Sequence, residues 1–316
     1  MTDYKEATYL ELENYKAPKG IKCFFIPMKD NKKIRLAFWK KNKSESRGTI
    51  ILQQGHNEFI EKYYETIQEL IDRDFEVVSF DWRGQGMSER MTEDIHKQYI
   101  KDFVLHNEDL KFIIRKVIKG NFTEPLIAFG HSMGGNFILS SLFDLQKEFK
   151  FVILSAPMLG FKYEKILFLL SYIADLFMSP KSYFPGSKPN MGKETPFEEN
   201  DLTTDLDRYQ RTQKLVKKNP DIRLWGVTNA WVKAAKKSLT KIRKKGWAEN
   251  VKSKILIVNS LEDKVVSPNR ILEMHKRLPN SVIVNFKNTK HEILMENDKS
   301  REKFWKSFDK FLLNKY

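Results

Sequence analysis

A glycine-rich run in the middle of the chain carries a serine that could act as a nucleophile. Residues 130–135 read Gly-His-Ser-Met-Gly-Gly and contain the pattern Gly-x-Ser-x-Gly, centred on Ser132. Such glycines let a strand turn sharply into a helix, which exposes the serine at the tip of the turn. A serine hydroxyl also needs a base, an acid that orients the base, and donors for an oxyanion. The run therefore predicts a serine hydrolase with Ser132 as nucleophile.

Two histidines, His275 and His291, follow Ser132 in the sequence. A base is expected late in the chain, because the usual order around this turn is serine, acid, histidine. His275 falls within a predicted helix, residues 270–278, which favours a surface or packing role. His291 follows a predicted strand, residues 282–286, and catalytic groups gather at strand ends in open α/β sheets. We predict that His291 is the base.

The loop after the predicted strand 255–258 offers two carboxylates, Glu262 and Asp263. Either could orient the histidine, because both stand where the acid is expected. Either could also be a solvated loop residue or a helix cap. Spacing alone leaves both open.

An oxyanion is usually held by two backbone N–H groups. One comes from the residue after the nucleophile, which is Met133. The other comes from a loop after an early strand, here residues 53–58, where Gly55 lets the backbone approach a substrate. We predict the backbone N–H of His56 as the second donor, with no catalytic role for its imidazole.

Short apolar runs alternate with longer amphipathic segments, which predicts strands alternating with helices. The predicted strands are residues 49–53, 75–80, 126–129, 151–154, 255–258 and 282–286. The predicted helices are residues 63–73, 102–118, 133–145, 270–278 and 301–313. This pattern predicts an α/β fold with a mostly parallel sheet covered on both faces. An antiparallel hairpin, residues 22–27 and 34–40, is predicted at the sheet edge.

The alternation breaks between residues 158 and 247, where prolines separate helix-like pieces and no strand is predicted. We therefore predict a helical cap, residues 158–247, inserted into an α/β core of residues 1–157 and 248–316. In the cap, residues 166–178 are apolar and residues 227–239 place apolar side chains opposite lysines. These segments could line an acyl channel and attract anionic head groups, or they could simply close over the core.

Composition excludes several classes of protein, among them those with internal disulfides and those that span a membrane. With 316 residues, 41% of them hydrophobic, the chain can bury a full core. The single cysteine, Cys23, allows no internal disulfide, which favours a reducing cytoplasm. The N-terminus does not resemble an export signal, and residues 166–178 are too short to span a bilayer. The six histidines are scattered and form no His-Glu-x-x-His run, so neither a metal nor a cofactor is expected.

The net charge of +15 is concentrated in one segment. Between Arg211 and Lys254 there are 14 basic residues and two acidic ones. Such a segment could contact nucleic acid, an anionic membrane or an acidic substrate, or it could be a solvated face. It has no nucleic-acid recognition motif, so no nucleic-acid or protein partner is predicted. Peripheral contact with the inner face of the membrane through the basic cap is the hypothesis we keep.

Four motifs, in order, resemble bacterial lysophospholipases and monoacylglycerol lipases of the serine α/β-hydrolase superfamily. They are residues 54–58 (Gln-Gly-His-Asn-Glu), residues 81–88 (Asp-Trp-Arg-Gly-Gln-Gly-Met-Ser), residues 130–135, and the loops of Asp263 and His291. The resemblance implies the α/β-hydrolase fold and a triad of Ser132, Asp263 and His291, which selects Asp263 over Glu262. It also implies that Asp81 and Arg83 brace the loops around the site. The cap matches only loosely.

The resemblance further implies hydrolysis of the acyl ester of a lysophospholipid or monoacylglycerol through an acyl-enzyme on Ser132. One alternative is an esterase, lactonase or acyltransferase acting on small soluble esters. Another is a non-catalytic protein that binds a membrane or nucleic acid. Haloalkane dehalogenase and epoxide hydrolase chemistry is excluded, because it needs a carboxylate nucleophile in place of Ser132.

Overall fold

The computed structural model describes residues 4–185, 187 and 194–313 of the chain. Within them the strands are β1 (Lys5–Glu6), β2 (Lys22–Pro27), β3 (Lys33–Trp39), β4 (Thr49–Gln53), β5 (Glu76–Phe80), β6 (Lys97–Gln98), β7 (Leu126–His131), β8 (Phe149–Ser155), β9 (Gly226–Val227), β10 (Lys254–Ser260) and β11 (Ser281–Phe286). The α-helices are α1 (Tyr64–Ile71), α2 (Val104–Phe112), α3 (Ser132–Leu145), α4 (Glu164–Phe177), α5 (Leu206–Lys218), α6 (Asn229–Arg243), α7 (Pro268–Arg277) and α8 (Asp298–Leu312). Parts of the predicted core and cap, residues 1–3, 186, 188–193 and 314–316, lie outside this description.

The main sheet has the strand order β1-β2-β3-β5-β4-β7-β8-β10-β11. From β5 onwards the neighbouring strands in this order are parallel. Strands β1, β2 and β3 add an antiparallel edge, and Asn31 occupies the β2–β3 turn with a φ of 62°. The predicted α/β fold, with a mostly parallel sheet and an antiparallel hairpin, is confirmed.

The parallel register brings the loops that carry the predicted site to one edge of the sheet. Gln53 at the end of β4 pairs with Gly130 of β7, and Ser260 at the end of β10 pairs with Phe286 of β11. Ligands of open α/β sheets bind beyond these carboxyl ends. The backbone pairing of the sheet therefore brings the loops of the predicted site together.

Helices cover both faces of the sheet. On β4, Ile51 packs into the apolar core that contains α2 and α3, whereas Ile50 and Leu52 pack into the core that contains α1 and α8. A strand covered on both sides needs apolar residues at every position, not at alternate ones. This explains the continuous apolar runs in the sequence.

Two local features differ from the sequence predictions. The helix predicted over residues 102–118 begins at Val104, because the Asp102 carboxylate accepts the Val104 N–H at 3.0 Å, and its last turns, Ile113–Ile118, are wider than an α-helix. The predicted cap contains a short strand, β9, which pairs with β6. Two residues are too few to show the alternation that predicts a strand.

The two amphiphilic cap segments behave differently. The apolar side of α6, including Trp231, Ala235 and Leu239, packs into the core. The apolar side of α4 is exposed, and Phe177 is 82% accessible. This exposed side does not close over the core, whereas Phe168, Ser171 and Tyr172 of the same helix line a cavity, so an acyl channel along residues 166–178 stays a prediction. No helix in the described ranges is long and apolar enough to cross a membrane, and the core–cap division itself stays a prediction.

A fully buried ion cluster ties the edge of the sheet to the loop after β4. The Arg35 guanidinium on β3 contacts the Glu61 carboxylate at 2.6 and 2.7 Å and the Asp81 carboxylate at 2.8 Å. The second Asp81 oxygen accepts the Ile60 N–H at 3.0 Å. Asp81 thus braces the segment that leads into α1, as the resemblance implied.

We expect Arg35→Met to lower the free energy of unfolding by about 3–5 kcal/mol, because it leaves two buried carboxylates without a cation. Urea denaturation followed by circular dichroism measures this loss. Arg115→Met, at an exposed arginine, should change the same quantity by less than about 0.5 kcal/mol. A similar, small loss in both variants would contradict the role given to the cluster.

Candidate active site

Ser132 stands at the turn between β7 and α3. Its φ of 50° lies in the left-handed region, which few non-glycine residues adopt. The turn closes because glycines flank it: a Cβ on Gly130 would lie 2.7 Å from the Gly135 nitrogen, and one on Gly134 would lie 2.5 Å from the Gln54 carbonyl oxygen. The glycines of the motif are thus required by close backbone packing.

A chain of hydrogen bonds joins the three residues of the predicted triad. The Ser132 Oγ is 2.9 Å from His291 Nε2, and His291 Nδ1 is 2.6 Å from an Asp263 carboxylate oxygen. A carboxylate only accepts, so Nδ1 donates its proton to Asp263 and Nε2 is left to accept from the serine. All three residues are buried.

The loop after β10 separates the roles of its two carboxylates. The second oxygen of Asp263 accepts the N–H groups of Val265 and Val266 at 2.7 and 3.0 Å, which fixes its orientation toward His291. The Glu262 carboxylate instead accepts the N–H of Asn288 at 2.9 Å. Only Asp263 is placed to orient the imidazole.

The pKa of His291 reflects two opposing effects. Burial lowers it, because a charged imidazole loses its hydration, and the Asp263 carboxylate raises it through its charge and hydrogen bond. The carboxylate prevails, so the pKa of His291 lies above its ordinary value of 6.5. This imidazole is a stronger base than a free histidine.

The two predicted oxyanion donors lie in the first turn of α3 and in the loop after β4. The Met133 N–H belongs to the first turn of α3, where helix N–H groups lack an intrahelical acceptor. The His56 N–H has no hydrogen-bond partner among the described residues. Gly55 allows close approach, since a Cβ there would lie 3.0 Å from the Ser132 Cβ. Gln85 fixes this loop by donating to the Gly55 carbonyl at 2.9 Å.

The His56 imidazole takes no part in the hydrogen bond between Ser132 and His291. Its ring centroid is 5.3 Å from the Trp231 ring, and its Nε2 is buried without a partner among the described residues. Burial lowers the pKa of His56 to about 4, so the ring is neutral at pH 7. Its place in the turn is consistent with a contribution through the backbone alone.

Lys62 links the two loops that flank the serine. Its Nζ is 2.7 Å from the Glu58 carboxylate, in the loop after β4, and 2.6 Å from the Glu292 carboxylate, beside His291. The other Glu58 oxygen accepts the Gly55 N–H and the Tyr63 hydroxyl. A buried cation thus joins the loop of residues 53–58, named the oxyanion loop for its predicted donor His56, to the loop that carries His291.

Ionisation within this cluster is uneven. Burial would raise the pKa of Glu58, but the Lys62 ammonium and the hydrogen bonds lower it to about 2. Burial raises the pKa of Glu292 above its ordinary value despite the same ammonium. Lys62 and Glu292 are parts of the site that were not predicted from the sequence. The four-residue spacing of Glu58 and Lys62, typical of helical ion pairs, was the available signal.

Ser132 opens into a pocket of about 200 Å³. The residues that line it come from the loops of Ser132 and His291, from the loop after β4 and from the predicted cap, and include His56, Glu58, Lys62, Ser132, Gln213, Arg223, Val265, His291 and Glu292. A larger cavity of about 700 Å³ lies between α2, α4 and α6 and contains none of these residues. The described residues contain no cluster of three or more side chains that could hold a metal ion.

Comparison with known sequences gives a consistent family. Residues 44–298 match the family model described as serine aminopeptidase, S33. The probable lysophospholipase L2 of Haemophilus influenzae is 27% identical over 293 residues, which is 88% of either chain. The lysophospholipase L2 of Escherichia coli K12 is 29% identical over 189 residues, covering 58% of this chain and 55% of its own.

Solved structures agree on the fold. A soluble variant of monoglyceride lipase from Saccharomyces cerevisiae has a TM-score of 0.74 at 17% identity, over 96% of this chain and 99% of its own. The monoacylglycerol lipase of Paleococcus ferrophilus has a TM-score of 0.67 at 19% identity, over 89% and 98%. Because the family model spans most of the chain, the chain belongs to the S33 family of serine hydrolases, with the α/β-hydrolase fold, and it resembles the ester-hydrolysing lysophospholipases and monoacylglycerol lipases.

Proposed function

We propose that the chain hydrolyses the acyl ester of a monoacyl lipid, a lysophospholipid or a monoacylglycerol, through an acyl-enzyme on Ser132. The observation that carries this proposal is the hydrogen-bonded chain from Ser132 through His291 to Asp263. The names of the related lysophospholipases and of a related Mycolicibacterium smegmatis monoacylglycerol lipase support the lipid substrate.

In the proposed reaction His291 takes the Ser132 proton as Oγ attacks the ester carbonyl carbon. The N–H groups of His56 and Met133 stabilise the oxyanion of the tetrahedral intermediate. The alcohol, which carries the glycerol head group, leaves with the proton from His291. A water molecule, deprotonated by the same imidazole, then attacks the acyl-enzyme, and His291 returns that proton to Ser132 Oγ as the fatty acid leaves.

We expect Ser132→Ala to lower hydrolysis of 1-oleoyl lysophospholipid and 1-oleoylglycerol by about 10⁴-fold or more, and to abolish labelling by a fluorophosphonate probe. Mass spectrometry of the released oleate and gel fluorescence measure the two effects. Ser141→Ala on the same helix, at a buried hydroxyl without a partner among the described residues, should keep both.

If the wild type hydrolyses p-nitrophenyl acetate as efficiently as the oleoyl esters, the lipid substrate is contradicted and small soluble esters become the proposed substrates. If the folded wild type is not labelled by the fluorophosphonate probe, the proposal that Ser132 is the nucleophile is contradicted. Lipid profiles of extracts treated with wild type or Ser132→Ala would identify the natural acyl ester.

We expect opposite pH shifts from two substitutions around His291. The neutral imidazole is the active form, so kcat/KM falls as the pH drops through the pKa of His291. Asp263→Asn removes the charge that raises this pKa, so the acidic limb should move to lower pH, with a plateau lower by about 10³–10⁴-fold. Lys62→Met leaves Glu58 and Glu292 without their cation, so the limb should move to higher pH.

Profiles of kcat/KM from pH 5 to pH 9 measure both shifts. Lys306→Met, at a lysine whose side chain is 74% exposed on α8, is the matched control and should leave the limb in place. Shifts of the same sign in the Asp263 and Lys62 variants would contradict this electrostatic account.

We further propose that the cap makes peripheral contact with an anionic membrane. Exposed apolar residues lie along one side of α4 at helical spacing, namely Ile166, Leu169, Ile173, Leu176 and Phe177. Lysines of α6 border this helix, and the Lys236 Nζ lies 5.6 Å from the Phe168 ring. An apolar helix face bordered by lysines is typical of helices that lie in a membrane interface.

The double substitution Leu176→Ser and Phe177→Ser should weaken binding to phosphatidylglycerol vesicles at least about tenfold, because it removes apolar area that would enter the interface. Vesicle co-sedimentation measures the affinity. Leu313→Ser, at an exposed leucine after α8, is the control. Equal affinity of all three proteins would exclude α4 as the membrane-contacting helix.

A further inference from the structure

Arg223 lines the Ser132 pocket and forms no ion pair with a carboxylate of the described residues. The pocket is lined by two cationic side chains in the described residues, Lys62 and Arg223. Lys62 is held between two carboxylates. Arg223 donates from Nη1 to the neutral Gln213 amide oxygen at 3.1 Å and forms no ion pair with a carboxylate of the described residues. Its remaining N–H donors are therefore available to a ligand in the pocket.

The backbone around Arg223 is fixed to the oxyanion loop. The Asn57 amide accepts the Leu224 N–H at 2.7 Å and donates to the Leu224 carbonyl at 3.0 Å. The His96 Nδ1 donates to the Arg223 carbonyl at 2.8 Å, and its ring stacks on Trp225 with centroids 3.9 Å apart. The arginine is thus held in register with the loop that carries the predicted oxyanion donor.

The environment of Arg223 suits an anion. Burial lowers the pKa of its guanidinium, and the weaker effects of Tyr209 and Glu194 do not offset it, so its charge is incompletely compensated. The planar guanidinium presents two parallel N–H groups that match a phosphate, with stronger hydrogen bonds than a neutral group would form. A glycerol head group without phosphate would leave that charge uncompensated.

We propose that Arg223 binds the phosphodiester of a lysophospholipid head group while the acyl ester lies at Ser132. The phosphate subsite makes lysophospholipids better substrates than monoacylglycerols with the same acyl chain. This inference rests on the proposed function, because it assigns the head group of the ester that Ser132 attacks.

The test compares kcat/KM for 1-oleoyl lysophosphatidylethanolamine and 1-oleoylglycerol in the same detergent micelles. Wild type should prefer the lysophospholipid, and Arg223→Gln should lower the ratio of the two values by about 10- to 100-fold, as expected for loss of a charged hydrogen-bonded pair. Arg223→Lys, which keeps the charge but not the two-pronged geometry, should give an intermediate ratio.

A second variant leaves the arginine in place. Gln213→Glu puts a carboxylate where the amide oxygen contacts Arg223, so it should compete with the phosphate and lower the same ratio. Arg115→Gln, which changes the net charge equally at an exposed position, should leave the ratio unchanged. Thermal unfolding of each variant identifies any that fails to fold.

Inhibition gives a measurement independent of turnover of the lipids. The deacylated head group, sn-glycero-3-phosphoethanolamine, should compete with substrate in wild type and inhibit Arg223→Gln at least about tenfold more weakly. Inorganic phosphate that inhibits equally well, with an unchanged substrate ratio in Arg223→Gln, would assign Arg223 to free phosphate and overturn the head-group subsite.

The outcomes separate this inference from the function beneath it. If wild type hydrolyses both esters and the ratio is the same in Arg223→Gln and Gln213→Glu, the subsite is wrong and the esterase function stands. If wild type hydrolyses neither ester, the proposed function fails and the subsite fails with it.

Discussion

The left-handed backbone at Ser132 is the constraint on which the rest of the site depends. A serine at a φ of 50° is strained, and such residues persist only where their surroundings fix them. Here the Ser132 carbonyl accepts the Met158 N–H at 2.9 Å, and Gly134 packs against the carbonyl of Gln54. The loop after β4 can therefore lie directly against the start of α3. Ser132 and the two predicted oxyanion donors, the N–H groups of His56 and Met133, are fixed by the same close backbone contact.

The arrangement of charges around His291 follows from the close packing of the loops at Ser132. The loops that must meet at Ser132 bring Glu58 and Glu292 into the protein interior, where two carboxylates without a cation would repel each other. Lys62 lies between them and stabilises both loops in one arrangement. The cluster still has more carboxylates than cations, a balance that would favour the imidazolium that forms in the proposed reaction, in which His291 takes the serine proton. Structural cohesion and transition-state electrostatics thus depend on the same buried ions.

Sequence patterns predicted the sheet and the motif around Ser132 because both are local: apolar runs mark doubly covered strands, and glycines mark the tight turn. The choice between Glu262 and Asp263 needed family resemblance, since neighbouring residues differ only in the direction of their side chains. Lys62 and Arg35 could not be recognised as buried, because an ion is buried by segments distant in sequence. For the same reason the sequence left open whether the apolar side of α4 closes over the core, and among the described residues Ile166, Leu169 and Phe177 on that side are exposed.

Positive and negative side chains are unevenly distributed in the pocket. In the proposed reaction this distribution affects both how the substrate binds and how the product leaves. Its carboxylates gather near His291, around Lys62, whereas Arg223 lies in the predicted cap beside the neutral Gln213. A phosphodiester bound as proposed would pair with Arg223 and not with Lys62, whose charge Glu58 and Glu292 already balance. Hydrolysis of the acyl-enzyme, in contrast, creates a new carboxylate at Ser132, next to those side chains. Repulsion between like charges there favours departure of the fatty acid, so one charge arrangement both orients the substrate and promotes product release.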